Sequence, residues 1–246
     1  MAQESDLAGL VRDLSSGLGG AAQGDGASFS GRILQVFALI TVLSVAPGLL
    51  VVTTSFTRFV IVFSMLRLAL GLNQTPPNMV LNAMALFMTF FVMQPVFDDA
   101  WQGGLRPLLE NSLTEEQALR EIATPFQDFM YANTRPKDLA LFQQFVAPEA
   151  DSDPAAVTPE EAGWRVLVPA FMISELRRAF TIGFLIYLPF IAIDLIVASV
   201  LMSAGMMMLP PVIVSLPFKV IFFVLIDGWY LLAGSLMQSY SAFSGG

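Results

Sequence analysis

The sequence holds 246 residues, of which 55% are hydrophobic and only 13% charged, with a net charge of -8 and neither Cys nor His. Soluble domains carry about 25% charged residues, so this is the composition of a membrane-embedded chain. It excludes disulfides and a Ser-His-Asp triad, and it argues against zinc, haem and Cys-nucleophile chemistry. The acidic balance argues against nucleic acid as a partner, and no Walker or GxGxxG pattern suggests a nucleotide. No cofactor or metal is expected.

Residues 1–31 are small and polar, a short helix at most and then a flexible Gly/Ala/Ser stretch. They lack the basic-then-apolar order of a signal peptide, so none is expected there. Residues 32–97 form the first membrane block. Residues 33–52 are 20 uncharged residues, enough to span a hydrocarbon core. "TSFTRFVIVFSMLRLALG" follows, with Arg58 and Arg67 flanking a short apolar run. "LNQTPPN" reads as a turn, and residues 79–97 as a second uncharged span.

Residues 98–165 hold 13 acidic and 5 basic residues, which is the entire net charge. Helix-start signals predict a small helical soluble domain here. Thr114 and Gln117 have capping-box spacing, Asp138 is placed to cap "LALFQQFV", and Thr158-Pro159-Glu160-Glu161 open a further helix. "APEADSDPAAVTP" is the expected flexible joint.

Residues 166–246 form the second membrane block. From 179 to 218 the one ionisable residue is Asp194; Lys219 and Asp227 then interrupt the last apolar stretch. "SAGMMMLPP", residues 203–211, divides the block into two helices. Each expected span contains a proline: Pro47, Pro95, Pro189 or Pro217. An interior proline kinks a helix and frees a carbonyl, which in lipid needs another partner. Four such spans predict helices that face other subunits. An external N-terminus puts Arg58 and Arg67 on the cytoplasmic side and the acidic domain in the periplasm. The same count leaves "SAGMMMLPP" cytoplasmic without a Lys or Arg, so simple four-pass topology explains that turn poorly.

Three groups of residues stand out as candidate sites. Met206, Met207 and Met208 are soft and adaptable side chains on a turn shaped by Gly205, Pro210 and Pro211. Repeated around a ring, such turns would make an apolar constriction that closes by dewetting; alone, they are filler at a tight turn. Asp194, Lys219 and Asp227 lie in apolar surroundings, where each needs a partner or a water path. They read as ion pairs between helices or subunits, or as a proton relay. "SELRRAF" packs Glu175, Arg177 and Arg178 at the mouth of a span. Glu175 and Arg178 have i,i+3 spacing, and Ser174 is placed to cap the span. The cluster reads as a membrane-surface helix end or as an inter-subunit clamp.

"PAFMISELRRAFTIGF", "QTPPNMVLNAMALFMTFFVMQPV", "LPFIAIDLIVASVLMSAGMMMLPP" and "LPFKVIFFVLIDGWYLLAGSLMQSY" resemble the FliP family of flagellar export-gate proteins, over about residues 33–240. The virulence secretion homologues are similar through the membrane blocks, but the acidic insert and polar N-terminal extension look more like the flagellar branch. The resemblance implies an all-α membrane protein, whose kinked helical hairpins assemble into an oligomeric ring above the inner membrane plane, with a small helical periplasmic domain. It implies five copies with FliQ and FliR in the flagellar basal body, joined by FlhA and FlhB. It implies conduction of unfolded flagellar subunits, driven by proton motive force and a cytosolic ATPase, and no enzymatic activity. Met206, Met207 and Met208 would line the narrowest ring of the pore. Many family precursors begin with a cleavable signal peptide, a pattern residues 1–31 lack. Thr181 stands where a longer polar side chain is common. Two readings of other classes compete: a secondary transporter with a proton relay, and an intramembrane hydrolase with an Asp194–Asp227 dyad.

Overall fold

The computed structural model describes residues 36–37, 40–41, 44, 48–72, 74–146, 159–206 and 208–240, without the side chains of 159–162. Residues 1–31, Pro47, Thr158, most of the acidic joint and Met207 lie outside the described residues. The chain divides into two units, Met1–Leu49 and Leu50–Gly246. In the first, the hydroxyls of Thr41 and Ser44 donate at 2.8 Å to carbonyls four residues earlier, the spacing of a helix. Every element below belongs to the second.

Helix α1, Phe56–Ala69, lies at its centre. Phe59, Val62, Phe63, Leu66 and Ala69 are buried, the i, i+3, i+4, i+7 spacing of a single helical stripe. Arg58 precedes Val62 and Leu66 by four and eight residues, so the same stripe carries a guanidinium inward. After α1 the chain turns through Thr75 and Pro76, joined by a cis peptide bond. Arg67 closes this turn by donating to Asn78 and to the Pro76 carbonyl.

Helix α2, Asn78–Ala100, does not stop at the first acidic residues. It passes through a π-turn at Trp101–Leu105 into the short α3, Arg106–Leu109, giving a continuous 32-residue helix, Asn78–Leu109. At 1.5 Å per residue that is about 48 Å, well over the ~30 Å of a hydrocarbon core. The chain then reverses at Asn111, whose φ of 55° is the left-handed value that Asn tolerates better than most residues.

Helix α4, Glu115–Asn133, opens on the capping box that the sequence specifies, with Thr114 and Gln117 bonded reciprocally. Helix α5, Pro136–Val146, starts two residues before Asp138. Asp138 therefore does not cap it. Its carboxylate is turned instead toward Ser174, which donates to it at 2.7 Å. Helix α6, Pro159–Ser203, carries one backbone break at Gly163 and runs unbroken from there, 41 residues of mean hydropathy 2.4 in its most apolar window. Ser174 thus lies in mid-helix and caps nothing.

The end of α6 follows from Gly205. Its φ of 73° lets the Met206 N–H reach the Leu201 carbonyl while its own N–H reaches that of Met202. This is the paired closure that a left-handed glycine permits at a helix end. Pro210 then leads into α7, Pro211–Leu225, with Pro211 at the first helical position. Helix α8, Gly228–Gln238, meets α7 at 62° across Ile226 and Asp227. The described residues thus offer two helices long and apolar enough to cross a membrane, or three if the bent α7–α8 pair is one span. Helices α2, α6 and α7 continue through Pro95, Pro189 and Pro217. The departures from helical geometry lie at the π-turn, Gly163, Gly205 and Asp227.

The π-turn is pressed against α4. A Cβ on Gly104 would stand 2.5 Å from Ile122 Cγ1 and 2.9 Å from the Ala118 carbonyl oxygen, whereas one on Gly103 would meet nothing nearer than 3.9 Å. Overpacking against backbone costs about 1–3 kcal/mol. Gly104→Ala is therefore expected to lower the melting temperature of the purified chain in detergent, and Gly103→Ala to leave it near wild type. Equal melting of the two variants would contradict this packing.

Candidate functional site

Three polar clusters and one apolar turn interrupt the helices. The first is wholly buried. Arg58 and Glu175, each 0% exposed, form a bidentate pair between α1 and α6, with Arg58 Nε 2.8 Å from Glu175 Oε2 and Nη2 against Oε1. Arg58 Nη1 also donates to Ser239 at 2.7 Å, and the Tyr240 hydroxyl donates to Glu175 Oε2 at 2.5 Å. The guanidinium carbon lies 3.7 Å from the centre of the Tyr240 ring, which packs in turn against Phe59 and Phe129. Arg58 is thus paired, hydrogen-bonded and faced by a π-system at once.

Glu175 is therefore not the partner of Arg178. Its side chain points into the core, while Arg178, one turn on, is half-buried and donates to Asn133 at 3.4 Å. Arg177 is exposed. One residue before Glu175, Ser174 accepts from the Arg135 N–H at 3.0 Å and donates to Asp138, which fastens the α4–α5 corner to α6.

The second buried cluster links three helices. Lys219 on α7, 3% exposed, lies 2.7 Å from Asp194 on α6 and donates to the Ala69 carbonyl at the end of α1 at 3.2 Å. A cation at a helix C-terminus meets the negative end of its dipole. Asp194 also accepts from Ser215 at 2.5 Å. The sequence left the partner of Lys219 open between Asp194, Asp227 and another subunit; within this chain it is Asp194. Asp227 stands apart, at the α7–α8 bend, with a left-handed φ of 52°.

The methionine turn joins α6 to α7. Met206 is 49% exposed and Met208 is 98% exposed, with Leu209, Val212 and Ile213 also exposed beside them. The clamp of Asp194, Lys219 and Ser215 sits behind this tip, about one to three helical turns down the two arms.

The sequence does not announce Arg58 as a core residue, although its spacing with Val62 and Leu66 carries the signal. Nothing in the sequence announces Ser239 and Tyr240, which sit just beyond the last apolar stretch. Removing one partner of a buried ion pair leaves an uncompensated charge, at a cost of about 3–5 kcal/mol. Glu175→Gln is expected to lose most of the folded chain recovered from membranes. The double variant Arg58→Met/Glu175→Met is expected to recover more than Glu175→Gln alone, as judged by detergent-extracted yield and thermal melting.

The sequence comparisons agree with one another. The FliP family model matches residues 39–236. Similar proteins include the flagellar biosynthetic proteins FliP of Agrobacterium fabrum, 57% identical over 87% of this chain and 86% of that protein, and of Rhizobium meliloti, 55% identical over 87% and 86%. That of Bacillus subtilis is 49% identical over 84% of this chain and 91% of its own length. The matched region contains α1 to α7 and most of α8, and with them both buried charge clusters except Ser239 and Tyr240, and the methionine turn. On this footing, the chain belongs to the FliP family.

Proposed function

We propose that this chain is a pore-forming subunit of a flagellar protein-export gate in the bacterial inner membrane, with its methionine turn as the seal. Several copies form a ring, five by family resemblance, together with FliQ and FliR and in contact with FlhA and FlhB. The ring conducts unfolded flagellar subunits. Helices α4 and α5, from the acidic stretch of the chain, belong to a periplasmic domain. The chain supplies a conduit and a seal, not a reaction.

The observation that carries this reading is the tip of the α6–α7 hairpin. An apolar side chain as bare as Met208 is costly in water and calls for cover in an assembly. Lipid alone would not select unbranched thioethers over Leu or Ile. A ring of such tips would exclude water when empty, and flexible Met side chains would reseal around a passing chain. The outer faces of α2 and α6 point the same way. Only 11% of the most apolar window of α6 is buried within the chain, which leaves its remaining faces for lipid or other subunits.

The Asp194–Lys219–Ser215 clamp fits a positioning role better than a proton relay. Lys219 is nearly out of solvent and is shared between a carboxylate and a backbone carbonyl. Releasing a proton there would leave Asp194 charged without its cation. The clamp instead holds α7 on α6 and α1, and so fixes where the tip projects.

Changing Met206, Met207 and Met208 together to Ala is expected to make the inner membrane leak ions while complexes still assemble. A tight membrane with normal motility would reduce the methionines to filler. Asp194→Ala is expected to impair assembly more than conductance. Intact complexes from that variant on a native gel, with export lost, would favour a proton role instead.

A further inference from the structure

An open cleft of about 460 Å³ beside the buried ion pair holds more positive charge than the chain balances, with Arg135, Arg177, Arg178 and Thr181 along its wall. Arg58 at its floor is neutralised by Glu175. Arg135 has Asp138 at 3.9 Å. Among the described residues, no carboxylate lies within ion-pair distance of Arg177 or Arg178; Arg178 donates to the neutral Asn133 oxygen and feels Glu175, already paired with Arg58, at longer range. Guanidiniums gathered in one cleft repel each other, and their planar donors match a carboxylate bidentately.

The complementary charge is displayed on the same body. Asp98 and Asp99 lie at the end of α2 and are exposed. Glu121 on α4 is also exposed and leans on the π-turn, its Oε2 3.9 Å from where a Gly103 Cβ would stand. None of the three takes part in an ion pair among the described residues, unlike Glu110 and Glu116, which pair with Arg106 and Arg120. Helix α4 connects the two regions. Glu121 lies in its first half and Asn133, on the cleft wall, is its last residue. At 1.5 Å per residue they are about 18 Å apart along the axis.

A basic cleft at one end of a helix and an acidic face toward the other do not pair with their own kind, so each needs the other on a neighbouring copy, and a ring of copies repeats such a contact in one direction rather than across a twofold axis. They are complementary head to tail, and head-to-tail contacts close into rings when the rotation allows. We infer that the cleft of Arg135, Arg177 and Arg178 receives the carboxylates of Asp98, Asp99 and Glu121 from a second copy of this chain. The inference rests on the multi-copy ring proposed above and adds the contact that gives neighbouring copies their direction.

The test is charge exchange in the full chain, with oligomers recovered from membranes and read on a native gel. Arg177→Glu/Arg178→Glu and Asp98→Lys/Asp99→Lys/Glu121→Lys are each expected to lower oligomer recovery about ten-fold, the scale of a lost interfacial charge pair. Both sets in one chain, which match at every contact of a ring of any number, are expected to restore much of it. Circular dichroism of each variant checks that the helices persist. Because the chain has no Cys, a covalent reading is also open. Thr181→Cys on one copy and Glu121→Cys on another should join through a short bismaleimide, and neither variant alone should do so.

Wild-type recovery from Arg177→Glu/Arg178→Glu would overturn the inference and leave the ring standing. So would loss in both sets with no restoration in combination, or the absence of the cross-link in assembled wild-type-like rings. A wild-type chain that never oligomerises would overturn the inference and the ring together.

Discussion

The structure depends on the Arg58–Glu175 pair. A guanidinium with no exposed surface is tolerable only when its charge is matched and its donors are filled. Here one carboxylate takes two of its N–H groups, Ser239 takes another, and a tyrosine ring covers its face. Those partners come from α6 and from the segment just after α8. Helix α1, the longest helix and the segment just after α8 are thereby fixed to a single point. The apolar stripe of α1 packs in the register that this point allows, because Phe59, Val62 and Phe63 share its face.

Away from that point, the other buried charges also sit at contacts between helices, while the outer faces of α6 and α7 are largely apolar. Lys219 sits where α1, α6 and α7 meet, and Asp138 where the α4–α5 corner meets α6. Hydrophobic contact in such a chain is nearly interchangeable, since almost every face of α6 is greasy. Directional bonds supply the register that grease does not. The same division explains why the α6–α7 tip can be wholly apolar. Its geometry is set by Gly205, by two prolines and by a charged clamp below, so the tip residues are free of structural duty.

Local features of this fold were legible in the sequence, and distant pairings were not. The helical class, the capping box at Thr114 and Gln117, and the division of the last block at residues 203–211 all rest on neighbours within four residues. Those signals are written contiguously. The assignments that changed are those where a local rule competed with a remote partner. Glu175 has Arg178 one turn away, yet it pairs with Arg58, 117 residues distant, because helix α6 turns Glu175 fully into the core against α1 while Arg178 is directed to Asn133 on α4. Asp138 and Ser174 both looked like helix caps and instead bond to each other. In the candidate site the methionines were visible as a cluster, whereas the clamp that aims them required knowing that Asp194 and Lys219 face each other across a hairpin. The continuation of α2 to Leu109 was hidden by its first acidic residues, which sit on the exposed side of an unbroken helix.

The separation between Arg58 and its partners also has a consequence in time. Chains emerge at about 5–20 residues per second. Glu175 follows Arg58 by 117 residues, and Tyr240 follows Glu175 by another 65. For on the order of ten seconds, a helix built to bury a cation exists without the anion that permits it. During that interval α1 has no stable resting place in an apolar setting. It must wait at an interface or in the keeping of another protein until the second half arrives. The order of synthesis thus leaves α1, made early, to be settled among the last.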